Sequence, residues 1–231
     1  MSRLFDTRAA PDHLLRVGRG PDVWAWIDWA FAGEDGKFDN RWDDPLGTYR
    51  VLYASCSRLG AFLEALGEYR PDLHLVAAYG EIEENDPTAP ETSAPGRLPE
   101  HWRTQRIIGR GVSDGVHAPL VDIGAAASLA TVRERLAGEI LRLRIRDVDA
   151  ATIRDTDRKL TQAISRFIYE QPPLFAGLYY FSRFGNDVGN VAIFERSDGS
   201  GFPVTHIERS PIDLDDEDFL EACRLHGVQP S

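Results

Sequence analysis

The sequence predicts a single domain of the α+β class, in which short strands and separate helices pack around one core. Glycine and proline are frequent, with 20 and 14 copies in 231 residues, and they divide the chain into short segments. Strand-like and helix-like segments follow one another without the regular alternation that builds a parallel α/β sheet. The length suits one sizeable core. We therefore expect mixed sheets with flanking helices over residues 1–231.

Four apolar segments in the first half have the length and pattern of strands. They cover residues 14–17, 23–31, 50–54 and 73–78. Within the second segment, Trp24 and Trp26 share the parity of a half-buried strand. After the third, an apolar stripe at helical spacing predicts a helix that either Ser55 or Ser57 can cap. The stripe consists of Leu59, Phe62, Leu63 and Leu66.

The second half adds further strands and helices. Strands are predicted at residues 106–108, 120–123, 177–181 and 191–194, and a Gly-Asn-Asp turn pairs the last two. One helix opens at Ser128 or Thr131, and a stronger amphipathic helix runs over residues 157–170 until two prolines stop it. The last helix begins in the acidic stretch 213–218. Between the two halves, residues 80–101 are acidic and proline-rich, which predicts either a surface insertion or a lid over a site.

The charge balance argues against a nucleic-acid partner. The chain has 26 Lys and Arg against 37 Asp and Glu, a net charge of −11, and an acidic surface repels phosphate backbones. A local cluster of arginines can still hold a small anion. The two cysteines, Cys56 and Cys223, form no metal motif with the six scattered histidines. With no signal peptide and no apolar run of about 18 residues, we expect a reduced, cytoplasmic protein without a membrane span.

Several motifs, taken in order along the chain, resemble the RES family. Arg41 lies in the turn Phe-Asp-Asn-Arg-Trp-Asp, and Tyr53 follows 12 residues later in the strand Val-Leu-Tyr-Ala. Glu64 comes another 11 residues on, in the helix segment Ala-Phe-Leu-Glu. Arg16 matches a family arginine on an early strand, and Gly-Leu-Tyr-Tyr-Phe-Ser-Arg at 177–183 matches a late family strand.

This resemblance extends from about residue 14 to residue 195 and implies an NAD⁺-degrading enzyme. RES toxins cleave the nicotinamide–ribose bond by hydrolysis or phosphorolysis, on a fold similar to that of ADP-ribosyltransferases. Many are paired with an Xre-type antitoxin that covers the active site. The expected partners are therefore NAD⁺, as substrate and not as cofactor, and an Xre-type antitoxin. The tryptophans at positions 24, 26 and 29 can supply the apolar face of a homodimer.

The reaction explains why the family uses these residue types. Bond cleavage leaves positive charge on C1′ and the ring oxygen of the ribose, which a carboxylate such as that of Glu64 stabilises. The guanidinium groups of Arg16 and Arg41 suit the two phosphates. Tyr53 offers an aromatic face to nicotinamide and a hydroxyl to ribose. The remaining expected substrate-binding residues are Ser182 or Thr161, as the source of one neutral hydrogen bond, and Arg183.

Each of these residues also has an ordinary structural interpretation. The helical stripe leaves Glu64 on the solvent side, and nearby aspartates can pair with Arg41 at the surface. Tyr53 at a strand end is commonly a core residue, and Ser182 suits the end of a hairpin. Two other functions therefore stay open: an ADP-ribosyltransferase that modifies a macromolecule, and a non-enzymatic module that binds a nucleotide or a partner.

Overall fold

A computed structural model describes residues 4–74, 76–77, 96–113, 118–154, 157–172, 175–196 and 204–231. Within these ranges the chain forms a mixed eight-stranded sheet with flanking helices and a separate two-stranded sheet. This arrangement agrees with the predicted α+β class. Most of the acidic, proline-rich stretch lies outside the described residues.

The strands of the described ranges are β1 (Thr7–Arg8), β2 (His13–Arg19), β3 (Val51–Ser55), β4 (Arg97–Leu98), β5 (Arg106–Ser113), β6 (Leu120–Asp122), β7 (Gly177–Phe181), β8 (Gly189–Phe194), β9 (Val204–Pro211) and β10 (Gln229–Pro230). The large sheet has the order β1-β6-β7-β8-β3-β2-β5-β9. Its neighbouring strands are antiparallel except for the parallel pair of β6 and β7. β4 and β10 form the small parallel sheet.

The helices described here are α1 (Arg58–Leu66), α2 (Glu100–Thr104), α3 (Ala126–Arg135), α4 (Ala137–Arg142), α5 (Lys159–Glu170) and α6 (Glu217–His226). Side chains cap the N-termini of α1 and α6. Ser57 Oγ accepts a hydrogen bond from the Gly60 amide at 3.0 Å, and Asp216 Oδ1 accepts one from the Phe219 amide at 3.1 Å. Gly227 ends α6 in the left-handed conformation, with φ of 68°.

The faces of the sheet follow the alternation of side chains along each strand. On β3, Val51 and Tyr53 pack with the core cluster beneath α3, α4 and α5, whereas Leu52 and Ala54 belong to a cluster on the opposite face. A third cluster lies between α1, α2 and α6. It shares a face with the first cluster, because Leu15 of β2 packs there and is paired with Ser55 of β3. The first face therefore carries two separate helical layers, with space between them.

Strands β2 and β3 diverge beneath this space. They are paired only at Leu15 and Ser55, although β2 pairs with β5 along its whole length. A continuing antiparallel ladder would bring Val17 opposite Tyr53. Instead, Nη1 of Arg16 donates to the backbone oxygen of Tyr53 at 2.7 Å. The arginine side chain thus satisfies a strand carbonyl that the divergence leaves without a backbone donor.

Most predicted elements are confirmed, and the exceptions have identifiable causes. The predicted strand at 23–31 is wrong, because this segment forms turns and a short 3₁₀ helix. Its Val23 and Trp24 side chains fill space above Gly109 and Gly111 of β5, which have no side chains. The predicted strand at 73–78 is also wrong, since its described residues are helical.

Two details differ from the expected ones, and one open choice between two residues is resolved. The third helix, α3, begins at Ala126, so Ser128 lies inside it and is fully buried. Of the two serines considered as the cap of α1, Ser57 makes the capping bond. At the end of the predicted insertion at 80–101 the chain has regular structure, because residues 97–98 form β4 and Glu100 opens α2. Residues 80–95 of that insertion lie outside the described ranges.

Strands β7 and β8 approach each other so closely at Gly177 that a single added methyl group should destabilise the fold. A Cβ added at Gly177 of β7 would lie 2.0 Å from the backbone oxygen of Ala192, so Gly177→Ala should lower the free energy of unfolding by about 3 kcal/mol. The control is Gly138→Ala in α4, where no described atom lies within 4 Å and alanine should add about 0.5–1 kcal/mol. Urea unfolding of both variants measures the difference. Equal stability of the two variants would contradict this packing.

His226 predicts a loss of stability in mild acid. It is buried, and Nε2 lies 2.8 Å from the backbone oxygen of Leu63. Burial lowers the pKa of His226 from its ordinary 6.5. Since the unfolded chain binds the proton more readily, stability is intact above pH 6.5 and falls as the pH drops through the folded pKa. Urea unfolding between about pH 7 and 5 should therefore give a steeper pH dependence for wild type than for His226→Gln. Parallel curves would refute the assignment.

Candidate active site

A cavity of about 590 Å³ opens between the two helical layers on the first face of the sheet. Its walls come from β2, β3, β7, β8, α1 and the loops that carry Arg41 and Arg158. Five of the residues expected at the site line it together. They are Arg16, Arg41, Tyr53, Glu64 and Arg183. The volume falls in the range of about 300–1,000 Å³ that is usual for small-molecule sites.

The floor of the cavity contains one row of side chains across three strands. Ser55 of β3 is paired with Asn190 of β8, and Asn190 is paired in turn with Tyr180 of β7. Residues in direct register project from the same face of a sheet, so these three side chains are neighbours. All three are buried, and each lines the cavity.

Glu64 lies on α1 above this row. Its side chain is exposed, as the helical stripe predicted, but the solvent that it meets is that of the cavity. Oε1 accepts a hydrogen bond from Nδ2 of Asn190 at 2.8 Å. Small neighbours, Ala61 and Ala65, also line the cavity on this helix and leave room beside the carboxylate. One carboxylate oxygen is thus held by the sheet.

Two arginines of the site are held by backbone carbonyl groups. Burial lowers the pKa of Arg16 to about 10, so its guanidinium stays cationic at neutral pH. Its Nε is enclosed and has no hydrogen-bond partner among the described residues. Arg41 is partly buried, and its Nη1 and Nη2 donate to the backbone oxygens of Ile153 at 2.8 Å and Arg154 at 3.2 Å. Burial lowers the pKa of Arg41, while the nearby charge of Glu64 opposes that shift.

Two further arginines lie at the cavity rim, where both are exposed. Arg158 donates to the backbone oxygen of Asp39, and the guanidinium of Arg183 lies 4.8 Å from the ring centre of Phe184. The cavity therefore has four arginines against two glutamates, the second being Glu68. It is a locally positive site in a chain whose net charge is −11.

Tyr53 contributes its ring to the cavity, whereas its hydroxyl is engaged elsewhere. The hydroxyl donates to Oδ1 of Asp43 at 2.9 Å and accepts from the amide of Trp42 at 2.9 Å. Burial raises the pKa of Tyr53 well above 10, so the phenol is neutral. Asp43 also accepts from the backbone and side-chain amides of Asn40. These bonds hold the turn that carries Arg41 against β3.

The two candidates for the family serine lie outside the cavity lining. Oγ of Ser182 accepts from the amide of Phe184 at 3.0 Å and shapes the turn after β7. Oγ1 of Thr161 donates to the backbone oxygen of Arg158 at 2.9 Å, inside the first turn of α5. Both side chains are buried. Ser55 is the serine on the cavity floor, and it donates to the backbone oxygen of Gly189 at 3.2 Å.

Sequence reasoning missed six polar residues of the cavity: Asn40, Ser55, Glu68, Arg158, Tyr180 and Asn190. Strand parity offered a signal for Ser55, which follows Tyr53 by two residues. Tyr180 lies inside the motif at 177–183, three residues before Arg183. Asn190 and Arg158 had no local signal, because the register between β7 and β8 and the position of α5 bring them in.

Two absences hold for the part of the chain that the structure describes. Its His, Cys, Asp and Glu side chains form no group of three that could hold a metal ion. None of its helices combines the length and the apolar character needed to cross a bilayer.

Among solved structures, the chain is similar to one titled as the crystal structure of the M. tuberculosis MbcT-MbcA toxin-antitoxin complex. The similarity covers 96% of this chain and 92% of that chain, with 12% sequence identity and a TM-score of 0.47. A comparison with curated proteins gives no match.

A comparison with protein families is more specific. The family model described as RES domain matches residues 13–215. This range contains all the residues that line the cavity, from Leu15 to Asn190. Because the match takes in most of the sequence, the chain belongs to the RES domain family.

Proposed function

We propose that the protein cleaves the nicotinamide–ribose bond of NAD⁺, with water or phosphate as the acceptor. The observation that carries this proposal is the carboxylate of Glu64, fixed by Asn190 in a cavity with four arginines. A dinucleotide brings two phosphates and a ribose whose C1′ becomes positive during cleavage. The site offers arginine cations to the phosphates and a carboxylate to the ribose.

Each residue of the cavity has a separate role in this reaction. The C1′–N bond breaks, and its electron pair leaves with nicotinamide as a neutral pyridine. Glu64 stabilises the positive charge that develops on the ribose. An oxygen of water or phosphate then forms the new bond to C1′, and water releases its proton to Glu64 or to solvent. Arg16 and Arg41 bind the diphosphate at depth, and the rings of Tyr53 and Tyr180 pack against nicotinamide.

Removal of one charge tests the central role of Glu64. Glu64→Gln keeps an oxygen for Asn190 and loses the negative charge, so nicotinamide release should fall at least about 100-fold in kcat/KM without a change in Tm. The matched control is Glu221→Gln, at a partly exposed residue of α6 that pairs with Arg224 away from the cavity. Release should be followed with and without phosphate, which identifies the acceptor. Full activity of folded Glu64→Gln would refute the proposal.

A rim arginine tests the binding of phosphate. Arg183→Ala removes an exposed cation from the cavity mouth, so KM for NAD⁺ should rise about tenfold with kcat nearly unchanged. The rise should shrink at high salt, because ions screen exposed charges. Arg142→Ala is the control, since Arg142 is exposed on α4 and pairs with Glu139. An unchanged KM for Arg183→Ala would remove this residue from the binding site.

The same assay separates the other candidate functions. Labelled NAD⁺ that leaves its label on a macromolecule would identify an ADP-ribosyltransferase, and binding without nicotinamide release would identify a non-enzymatic module. We further propose that the protein acts as a toxin and has an antitoxin partner, as the family resemblance implies. Cellular NAD⁺ should then fall on expression of the wild type and not of Glu64→Gln, and co-expression of the antitoxin should restore it.

A further inference from the structure

Asn190 occupies the most constrained position in the cavity floor. It lies on β8, in register with both Ser55 and Tyr180, and only 1% of its surface is exposed. An ionised carboxylate can only accept hydrogen bonds, so the nitrogen of the Asn190 amide must face Glu64. The structure has this orientation, with Nδ2 donating to Oε1 of Glu64 at 2.8 Å.

This orientation leaves the other end of the amide unsatisfied. Oδ1 of Asn190 is enclosed and has no hydrogen-bond partner among the described residues. An enclosed acceptor without a donor destabilises the folded state. Packing alone would therefore favour an apolar side chain of similar size at this position. Asn190 nevertheless has an amide at this position, although its unsatisfied oxygen destabilises the folded state. The single described hydrogen bond of that amide is the one to Glu64.

The bond also restricts a side chain that would otherwise be free. Glu64 is exposed on α1, where a glutamate samples several rotamers. Asn190 comes from the sheet, whose strand pairing gives its own side chain little freedom. A bond between the two fixes Oε1 and leaves Oε2 for the reacting sugar.

We propose that Asn190 is a positioning residue that holds the carboxylate of Glu64 in its working orientation. This inference rests on the proposed function, because it assigns how the same site prepares its carboxylate. It predicts that loss of the amide affects turnover and neither NAD⁺ binding nor folding.

The first test replaces Asn190 by an apolar residue of similar size. Asn190→Leu should lower kcat for nicotinamide release about 100-fold, since a small displacement of a reacting group has effects of that order. KM should change by no more than about threefold, and Tm should stay equal or rise because the unsatisfied oxygen is gone. Ser128→Ala is the control, a buried polar residue that binds the Asp6 amide away from the cavity. It should lower Tm and leave kcat unchanged.

A second variant keeps the shape of the side chain and tests the charge. Asn190→Asp places a carboxylate against Glu64, and two carboxylates in contact cannot both ionise freely. The acid limb of its pH–rate profile should therefore move up by about one unit or more. If Asn190→Leu fails to fold, Asn190→Asp still tests the positioning role.

The outcomes distinguish the two proposals. No nicotinamide release by the wild type would overturn the proposed function, and the positioning role with it. Release by the wild type, together with an unchanged kcat for Asn190→Leu or an unchanged pH–rate profile for Asn190→Asp, would overturn the positioning role alone.

Discussion

Strand β8 is buried along its whole length, and its pairing with β3 and β7 forms the part of the large sheet that is covered on both faces. One face of these three strands receives the layer of α3, α4 and α5, and the other receives the cluster around Val23 and Trp24. The approach is so close at Gly177 that no side chain fits. The cavity begins where this tight packing ends, at the row that contains Asn190. The site is thus the edge of the core and not a separate addition to it.

The electrostatics of the cavity follow from how its cations are held. Arg16 is fixed by a backbone carbonyl, which provides a hydrogen bond and orientation but no opposite charge. Its positive charge therefore stays available to a ligand, although the surface of the protein is acidic overall. A carboxylate in the same position would anchor the arginine equally well and cancel its field. Glu64, the acidic residue beside Asn190, is bound to a neutral amide for a comparable reason.

Local patterns in the sequence were sufficient for residues whose neighbours in the chain define their setting. Arg41, Tyr53 and Glu64 follow one another in a turn, a strand and a helix, and the resemblance of this stretch to the RES family predicted that they share a site. Asn190 could not be found this way, because its place beside Glu64 depends on a strand register across the sheet. Trp24 has the parity of a strand, but the glycines of β5 provide a groove that accepts its ring without strand pairing. Ser182 satisfied the motif yet shapes a turn, since hydroxyl groups serve both purposes and the sequence does not distinguish them.

The bond between Tyr53 and Asp43 closes a ring of the chain, and Asp44 tightens that ring through the amide and hydroxyl of Thr48. Insertion of a residue within this ring would open it and carry Arg41 away from the cavity. The segment between residues 43 and 53 should therefore tolerate a change of length less well than the chain before residue 40. The 12 residues from Arg41 to Tyr53 thus include a segment that is closed by its own hydrogen bonds.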